Sequence, residues 1–202
     1  MNKRVVTLSA VLLLLATAAV VHAQDRGTAL GGLEFGSKPE KVAATLSELG
    51  LAISTKPQDK RFPFDQMFEG KLNGRTVRVT AWFDPQASLE KMSVVFLTAD
   101  TECLEFYRRF KQYLISEHGQ TRVDVEHWKE PYDGGYHVGH EESAIRSDKA
   151  FIAATWDTAD DGSDDGGIAL TVSSDLTVLL SFESSHWGSE SKRRKKILNG
   201  AS

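Results

Sequence analysis

Cysteine is almost absent from this chain of 202 residues, which contains only Cys103. A single cysteine cannot form a disulfide within the chain, so packing must stabilise the fold even in an oxidising compartment. Cys103 lies on an apolar stripe with helical spacing, which predicts a buried thiol. The chain therefore does not belong to the disulfide-rich class of small exported domains.

Long apolar runs are absent after the first 21 residues. The one run, from Val5 to Val21, follows the basic pair Lys3-Arg4. It is followed by His22 and Ala23, so that the cleavage pattern is Val21-His22-Ala23. A basic start, an apolar centre and a small residue at the cut are the features of a secretory signal peptide. We expect residues 1–23 to be removed and the rest to be exported, to the periplasm or outside the cell. A retained transmembrane anchor is the alternative reading.

Positive charge is scarce in the body of the chain. Without the two basic residues of the N-terminal segment and the five at 192–196, 17 Lys and Arg remain against 28 Asp and Glu. An acidic domain of this kind is not expected to bind nucleic acid. The predicted organisation is one domain over 24–188 and a basic, disordered tail over 189–202. A weak contact with anionic lipid headgroups is the other use predicted for the tail residues Lys192, Arg193, Arg194, Lys195 and Lys196.

The motifs of several enzyme classes are also missing. The sequence has no Gly-x-Ser-x-Gly elbow, no phosphate-binding loop and no HExxH helix. The one cluster with metal-ligand chemistry comprises His127, His137, His140 and Glu141, and zinc accepts such nitrogen and oxygen ligands. Three glycines lie near these residues, so a rigid ligand geometry is not predicted.

Hydrophobic periodicity alternates between helical and extended segments. Apolar residues at helical spacing follow Pro39 up to Gly50 and again run from Cys103 to Gly119. Asn73-Gly74 is typical of a tight hairpin, and further alternating runs predict several hairpin-linked strands. The expected fold is α+β, an antiparallel sheet with two helices on one face. It can be divided into two helix-plus-four-strand halves, at about 37–97 and 99–187, with a long loop at 128–147.

Several short segments resemble small exported bacterial α+β proteins of unknown function. The opening Leu33-Glu34-Phe35-Gly36-Ser37-Lys38-Pro39-Glu40-Lys41-Val42 is similar to their "fGxspeeV" pattern, with Phe35 where many relatives have Trp. The resemblance continues through Trp82-Phe83-Asp84 and the strand after it, the helix ending at His118-Gly119-Gln120, Trp156 and Phe182-Glu183-Ser184. The general helix-plus-sheet plan is loosely similar to the β-lactamase inhibitor proteins, which bind other proteins. The resemblance implies a fold and an exported location, and it implies no catalytic residue.

These observations favour a non-catalytic module of the bacterial envelope that binds another protein, although they do not decide whether the chain is an enzyme. Large aromatic side chains in the long loop are the candidate anchors, namely Trp128, Tyr132 and Tyr136. The alternative is a metal-binding protein or metal-dependent hydrolase that uses His127, His137 and His140, in which case zinc is the only cofactor expected.

Export makes a direct prediction about the mature protein. Its N-terminus should be Gln24, because the cut follows Ala23. Intact-mass analysis of protein recovered from the export compartment should show a chain without its first 23 residues. Recovery of a chain that still begins at Met1 would contradict the signal-peptide interpretation.

Overall fold

The computed structural model describes residues 29–56, 59–157 and 166–200. The segment expected to be the signal peptide and the acidic stretch 158–165 lie outside the described residues. Within these ranges the α-helices are α1 (Pro39–Glu48), α2 (Cys103–His118), α3 (Glu141–Arg146) and α4 (Trp187–Leu198). The eight strands are β1 (Leu51–Ile53), β2 (Gln66–Leu72), β3 (Arg75–Phe83), β4 (Leu89–Phe96), β5 (Val123–Trp128), β6 (Ala150–Trp156), β7 (Gly167–Val172) and β8 (Val178–Glu183).

All eight strands belong to one antiparallel sheet with the order β1-β2-β3-β4-β8-β7-β6-β5. The predicted class, α+β with an antiparallel sheet, is therefore confirmed. Strands β4 and β8 meet in the middle of the sheet, with pairs running from Lys91–Glu183 to Phe96–Val178. Strands β1 and β5 form its two edges.

The hairpin between β2 and β3 shows how the sequence sets the register. Asn73 and Gly74 are the only residues between the strands, and their φ angles are 50° and 79°. A two-residue turn with positive φ at both positions matches the twist of the strands that it joins. The turn fixes Leu72 opposite Arg75. Since side chains alternate between the two faces of a sheet, this pair determines on which face every side chain of β2 lies.

The hydrophobic core lies on one face of the sheet and includes every second residue of the central strands. In β3 the buried residues are Val77, Val79, Ala81 and Phe83, each at most 2% exposed. They belong to one apolar cluster that also contains Val42 and Leu46 of α1 and Cys103, Tyr107 and Leu114 of α2. Burial of Cys103 agrees with the apolar stripe on which it was placed.

Two segments differ from the sequence-based expectation. The loop predicted at 128–147 contains the short helix α3, whose Ala144 and Ile145 are buried in the core cluster. The tail predicted to be disordered over 189–202 is helical as far as Leu198. The tail was mispredicted because the residues that α4 buries most deeply are charged, Glu190 and Arg194, and they have no apolar signature.

Within the described ranges, the structure contains no helix with both the length and the apolar character needed to cross a bilayer.

Candidate binding surfaces

Helix α4 is attached to the sheet through the guanidinium group of Arg194. Its Nη1 and Nη2 each donate a hydrogen bond of 2.7 Å to the carboxylate of Asp65, which precedes β2. A further bond of 2.7 Å runs from Nη2 to the carbonyl oxygen of Phe83, at the end of β3. The guanidinium also lies over the ring of Phe62, 4.2 Å from its centroid. Planar recognition of this kind requires an arginine, because a lysine cannot make the paired contacts.

Charge balance makes this burial possible. Glu190, one turn earlier in α4, accepts a bond of 2.8 Å from Arg194 Nε and two bonds of 2.6 Å from Arg193. Burial lowers the pKa of Arg194, but the hydrogen bonds and negative charges of Asp65 and Glu190 outweigh it and raise the pKa overall. The Arg194 guanidinium is thus charged and paired, as buried ions must be.

The first turn of α4 rests on aromatic and cationic side chains of the sheet. The rings of Trp187 and Trp82 are 6.0 Å apart, and Lys91 Nζ lies 5.0 Å from the Trp187 centroid. Lys91 also donates a bond of 2.6 Å to Glu183 on the neighbouring strand. These contacts place the start of α4 over the ends of β3, β4 and β8.

The basic run of the tail that was predicted to be disordered is therefore divided into two sets. Arg193 and Arg194 are engaged with carboxylates, whereas Lys192, Lys195 and Lys196 are exposed. Only these three lysines remain available for the headgroup contact predicted for the run.

A pocket of about 190 Å³ opens beside the Arg194 site. Its walls include Phe62, Phe64, Phe83 and two prolines, and Arg61 and Arg193 also line it. Arg61 is already paired with Asp59, and this hydrogen-bonded contact lowers the pKa of Asp59 to about 2. The pocket contains aromatic walls and paired charges, but no nucleophile with an adjacent base, so its geometry does not indicate an active site.

The three predicted aromatic anchors occupy different environments. Trp128 is only 9% exposed and belongs to the core cluster, and Tyr132 packs against that cluster. Tyr136, by contrast, is 76% exposed. The ring of His137 stacks on Trp128 with a centroid distance of 4.5 Å and an interplanar angle of 4°. The aromatic residues therefore do not form one exposed surface.

The predicted metal ligands are not brought together either. Among the described residues there is no group of three or more His, Cys, Asp and Glu side chains that could hold a metal ion. His127 and Trp128 are neighbours in β5 and point to opposite faces of the sheet. His137 is stacked on Trp128, which separates it from His127. Strand alternation and aromatic stacking thus disperse residues that are close in sequence.

The sheet face that carries Trp82 and His127 has an uncharged centre. Two adjacent cross-strand rows form this centre, which we call the uncharged band. One row comprises Thr80, Ser93, Ser181, Ala169, Thr155 and Val123, and the other comprises Val95, Leu179, Thr171, Ala153 and Val125. These residues alternate along each strand with those of the core.

Charged side chains on this face lie at the border of the band, and most of them are paired, although Lys71 of β2 is exposed. Glu69 contacts Lys56 and Arg78 at 3.0 Å and 3.2 Å. The Lys91–Glu183 pair and the Arg122–Asp157 pair, at 2.6 Å and 3.0 Å, lie at other parts of the border. Next to the band, Phe151 of β6 is 55% exposed although it is a large apolar residue. An uncharged centre with a charged border is the usual distribution in protein–protein interfaces.

No family model matches the chain, and searches of curated proteins and of solved structures gave no significant match. The resemblance to small exported proteins remains a hypothesis that rests on its short motifs.

Sequence reasoning missed Asp65, Glu190, Arg194 and Phe151. In α4, Trp187, Glu190, Arg194 and Ile197 recur at three- and four-residue steps, but two of the four are charged, so they do not form an apolar stripe. The sequence around Phe151 did not indicate that its side chain is exposed, because the pairing of β6 with its neighbours decides which sheet face the side chain lies on.

The stacked pair in the 128–147 segment gives a stability prediction. His137→Ala should lower the free energy of unfolding by about 1 kcal/mol, because it removes the ring that covers Trp128. His140→Ala is the matched control, since His140 is exposed, and it should change stability by less than about 0.5 kcal/mol. Urea denaturation followed by tryptophan fluorescence measures both. Equal effects of the two substitutions would show that the stacking contributes nothing.

Proposed function

We propose that this chain is a non-catalytic binding module that holds another protein on the sheet face carrying the uncharged band. The single observation behind this proposal is the distribution of charge on that face, with a neutral centre and ion pairs at its border. Charged residues are depleted at the centres of protein interfaces because their desolvation is costly.

The proposal includes a division of the two sheet faces. Helices α1 and α2 share one face, whereas the other face, the open face, carries only the start of α4 at Trp82 and Lys91 and leaves the uncharged band for the partner. In support, the buried residues of both helices belong to the same cluster as the inward residues of β3, β4 and β8. Val95, Leu179 and Thr171 of the uncharged band are partly exposed, whereas Ser93, Ser181 and Ala153 are at most 6% exposed. Under this proposal the partner packs on the partly exposed members of the band.

The finer organisation as two helix-plus-four-strand halves is part of the same proposal. Its support is the element order, with α1 before β1–β4 and α2 before β5–β8, and the mirror-like strand order about the β4–β8 pair. Joining two four-stranded units side by side doubles the width of the face, so that a band six strands wide is presented to the partner.

Phe151 is the anchor that we infer for this interface. It is exposed, it borders the band, and a large aromatic ring is the kind of side chain that contributes most to binding energy. Tyr136 and Val138 of the 128–147 segment are also exposed, at 76% and 71%. Of the three aromatics predicted from the sequence, Tyr136 is the one that remains accessible as an anchor.

The expected export places the partner in the bacterial envelope or outside the cell. We infer a partner with a flat, largely uncharged surface, since a charged one would find no counter-charge in the centre of the band. Neither a metal nor an organic cofactor takes part in this function.

Charge placed in the band should weaken partner capture. In the double variant Thr155→Arg/Thr171→Arg, two unpaired guanidinium groups would be buried on binding, which should reduce capture at least about tenfold. The bait is the mature domain, the prey is envelope extract, and quantitative mass spectrometry compares each captured protein between variants.

Gln112→Arg/Gln120→Arg is the matched control, because it adds the same charge at exposed positions in and just after α2. Thermal unfolding confirms that both variants are folded. A partner that is captured equally by the wild type and by both variants would contradict the assignment to the open face.

A further inference from the structure

We propose that an extended segment of the partner protein pairs with the free edge of β5 and adds a further strand to the sheet. Strand β5 is the last in the order of the sheet, and β6 is its only neighbour among the described strands. The inference rests on the proposed function, because it assigns the segment to the protein that the open face holds. It adds the chemistry of the contact, which is backbone hydrogen bonding along one strand.

The free edge of β5 presents backbone donors and acceptors at regular spacing. The N–H of Lys129 donates a bond of 2.7 Å to the carbonyl of Lys149, which continues the pairing of β5 with β6 by one residue. Bonded and non-bonded positions alternate along an antiparallel pair, so the N–H and C=O groups of Asp124 and Glu126 point away from β6. No turn or loop in the described ranges forms a backbone hydrogen bond with them. These groups are therefore available to an added strand.

The exposure of the β5 side chains shows that no described element covers this edge. Val123, Asp124, Glu126 and His127 are exposed, and within the strand only Trp128 is buried. A helix or loop packed along the edge would bury side chains on at least one side of the strand. The edge is therefore accessible to another chain.

The usual protection of an edge strand is missing from β5. Such strands are commonly very short, or they carry proline or unpaired charges. Strand β1, at the opposite edge, has three residues, whereas β5 has six and no proline. The carboxylate of Asp124 accepts bonds of 3.0 Å from Lys111 Nζ of α2. That of Glu126 accepts a bond of 2.7 Å from Arg108 Nη2 of the same helix. The edge therefore lacks the unpaired charge that would block strand addition.

The side chains beside this edge define the segment that fits. Val123 and Val125 lie on the open face within the uncharged band, and Val123 is 43% exposed. Asp124 and Glu126 lie on the other face, beside α2. Since side chains alternate along a strand, the segment has apolar residues on the side of the open face and polar residues on the side of α2.

A second copy of β5 fits this edge less well than a segment of different sequence. Two-fold pairing of β5 with itself would place Asp124 and Glu126 of both copies on the same side of the joint, with carboxylate facing carboxylate. Like charges opposite each other destabilise a strand pair. Neutral or basic residues on that side of the segment avoid this cost.

A peptide probe tests strand addition without knowledge of the partner. The probe has about eight residues and alternates valine with threonine and lysine, as the two sides of the edge require. We expect an excess of this peptide to slow hydrogen exchange of the Asp124 and Glu126 amides at least about tenfold, measured by NMR on the mature chain. The amides of β1, at the other edge, should not change, because a strand of three residues offers few groups for pairing.

The matched control is the same peptide methylated on every backbone nitrogen, which cannot donate backbone hydrogen bonds. Unchanged exchange at Asp124 and Glu126, or equal slowing by both peptides, would overturn the proposal. Slowing that increases with protein concentration in the absence of peptide would assign the edge to a second copy and would overturn it as well.

Capture from envelope extract separates this inference from the proposed function. Glu126→Pro removes the outward N–H, a change that edge strands tolerate, whereas Glu126→Thr removes the same carboxylate and keeps the N–H. Capture of the protein that depends on the open face should fall at least about tenfold with Glu126→Pro and less than about twofold with Glu126→Thr. Thermal unfolding checks that both variants are folded, and the peptide measurement decides if Glu126→Pro is not.

The two possible failures give different results. Equal capture by the two variants would overturn strand addition and leave the assignment to the open face standing. If no captured protein depends on the open face, the proposed function is wrong, and the peptide measurement alone decides whether the edge accepts a strand.

Discussion

The pairing of β4 with β8 is the interaction on which the rest of the structure depends. Hydrogen-bonded partners from Lys91–Glu183 to Phe96–Val178 join two groups of four strands into a single sheet. This pairing brings Leu180 next to Val94 in the core and Leu179 next to Val95 on the opposite face. It also places Glu183 beside Lys91, whose ammonium group contacts the ring of Trp187. The first residue of α4 thus packs on this ion pair. The register of the β4–β8 pair therefore determines the core, the uncharged band and the surface that α4 contacts.

Local sequence signals predicted the elements of regular period well. The extents of α1 and α2 follow from apolar stripes that end near Gly50 and Gly119, and Asn73-Gly74 determined the β2–β3 hairpin. The signals did not predict α4, because its contact with the domain depends on an ion pair between residues 129 positions apart in sequence. No periodicity within the helix reports that Asp65 is available as a partner.

The candidate site was harder to predict than the fold for a related reason. Aromatic and histidine residues close together in the sequence suggested a binding loop, yet Trp128 and His137 stack on each other inside it. The uncharged band, by contrast, combines residues from six strands, each of which is unremarkable in its own segment. A surface of this kind becomes visible only when the strand register is known, since a shift of one residue would exchange the band with the core.

Contact between the open face and another protein can be detected by site-specific photo-crosslinking in the native compartment. A photoreactive amino acid is placed either at position 169, in the band, or at position 112, on the exposed side of α2. We expect a crosslinked protein adduct at position 169 and none at position 112. No adduct at 169, or the same adduct at both positions, would show that the open face does not hold a specific partner.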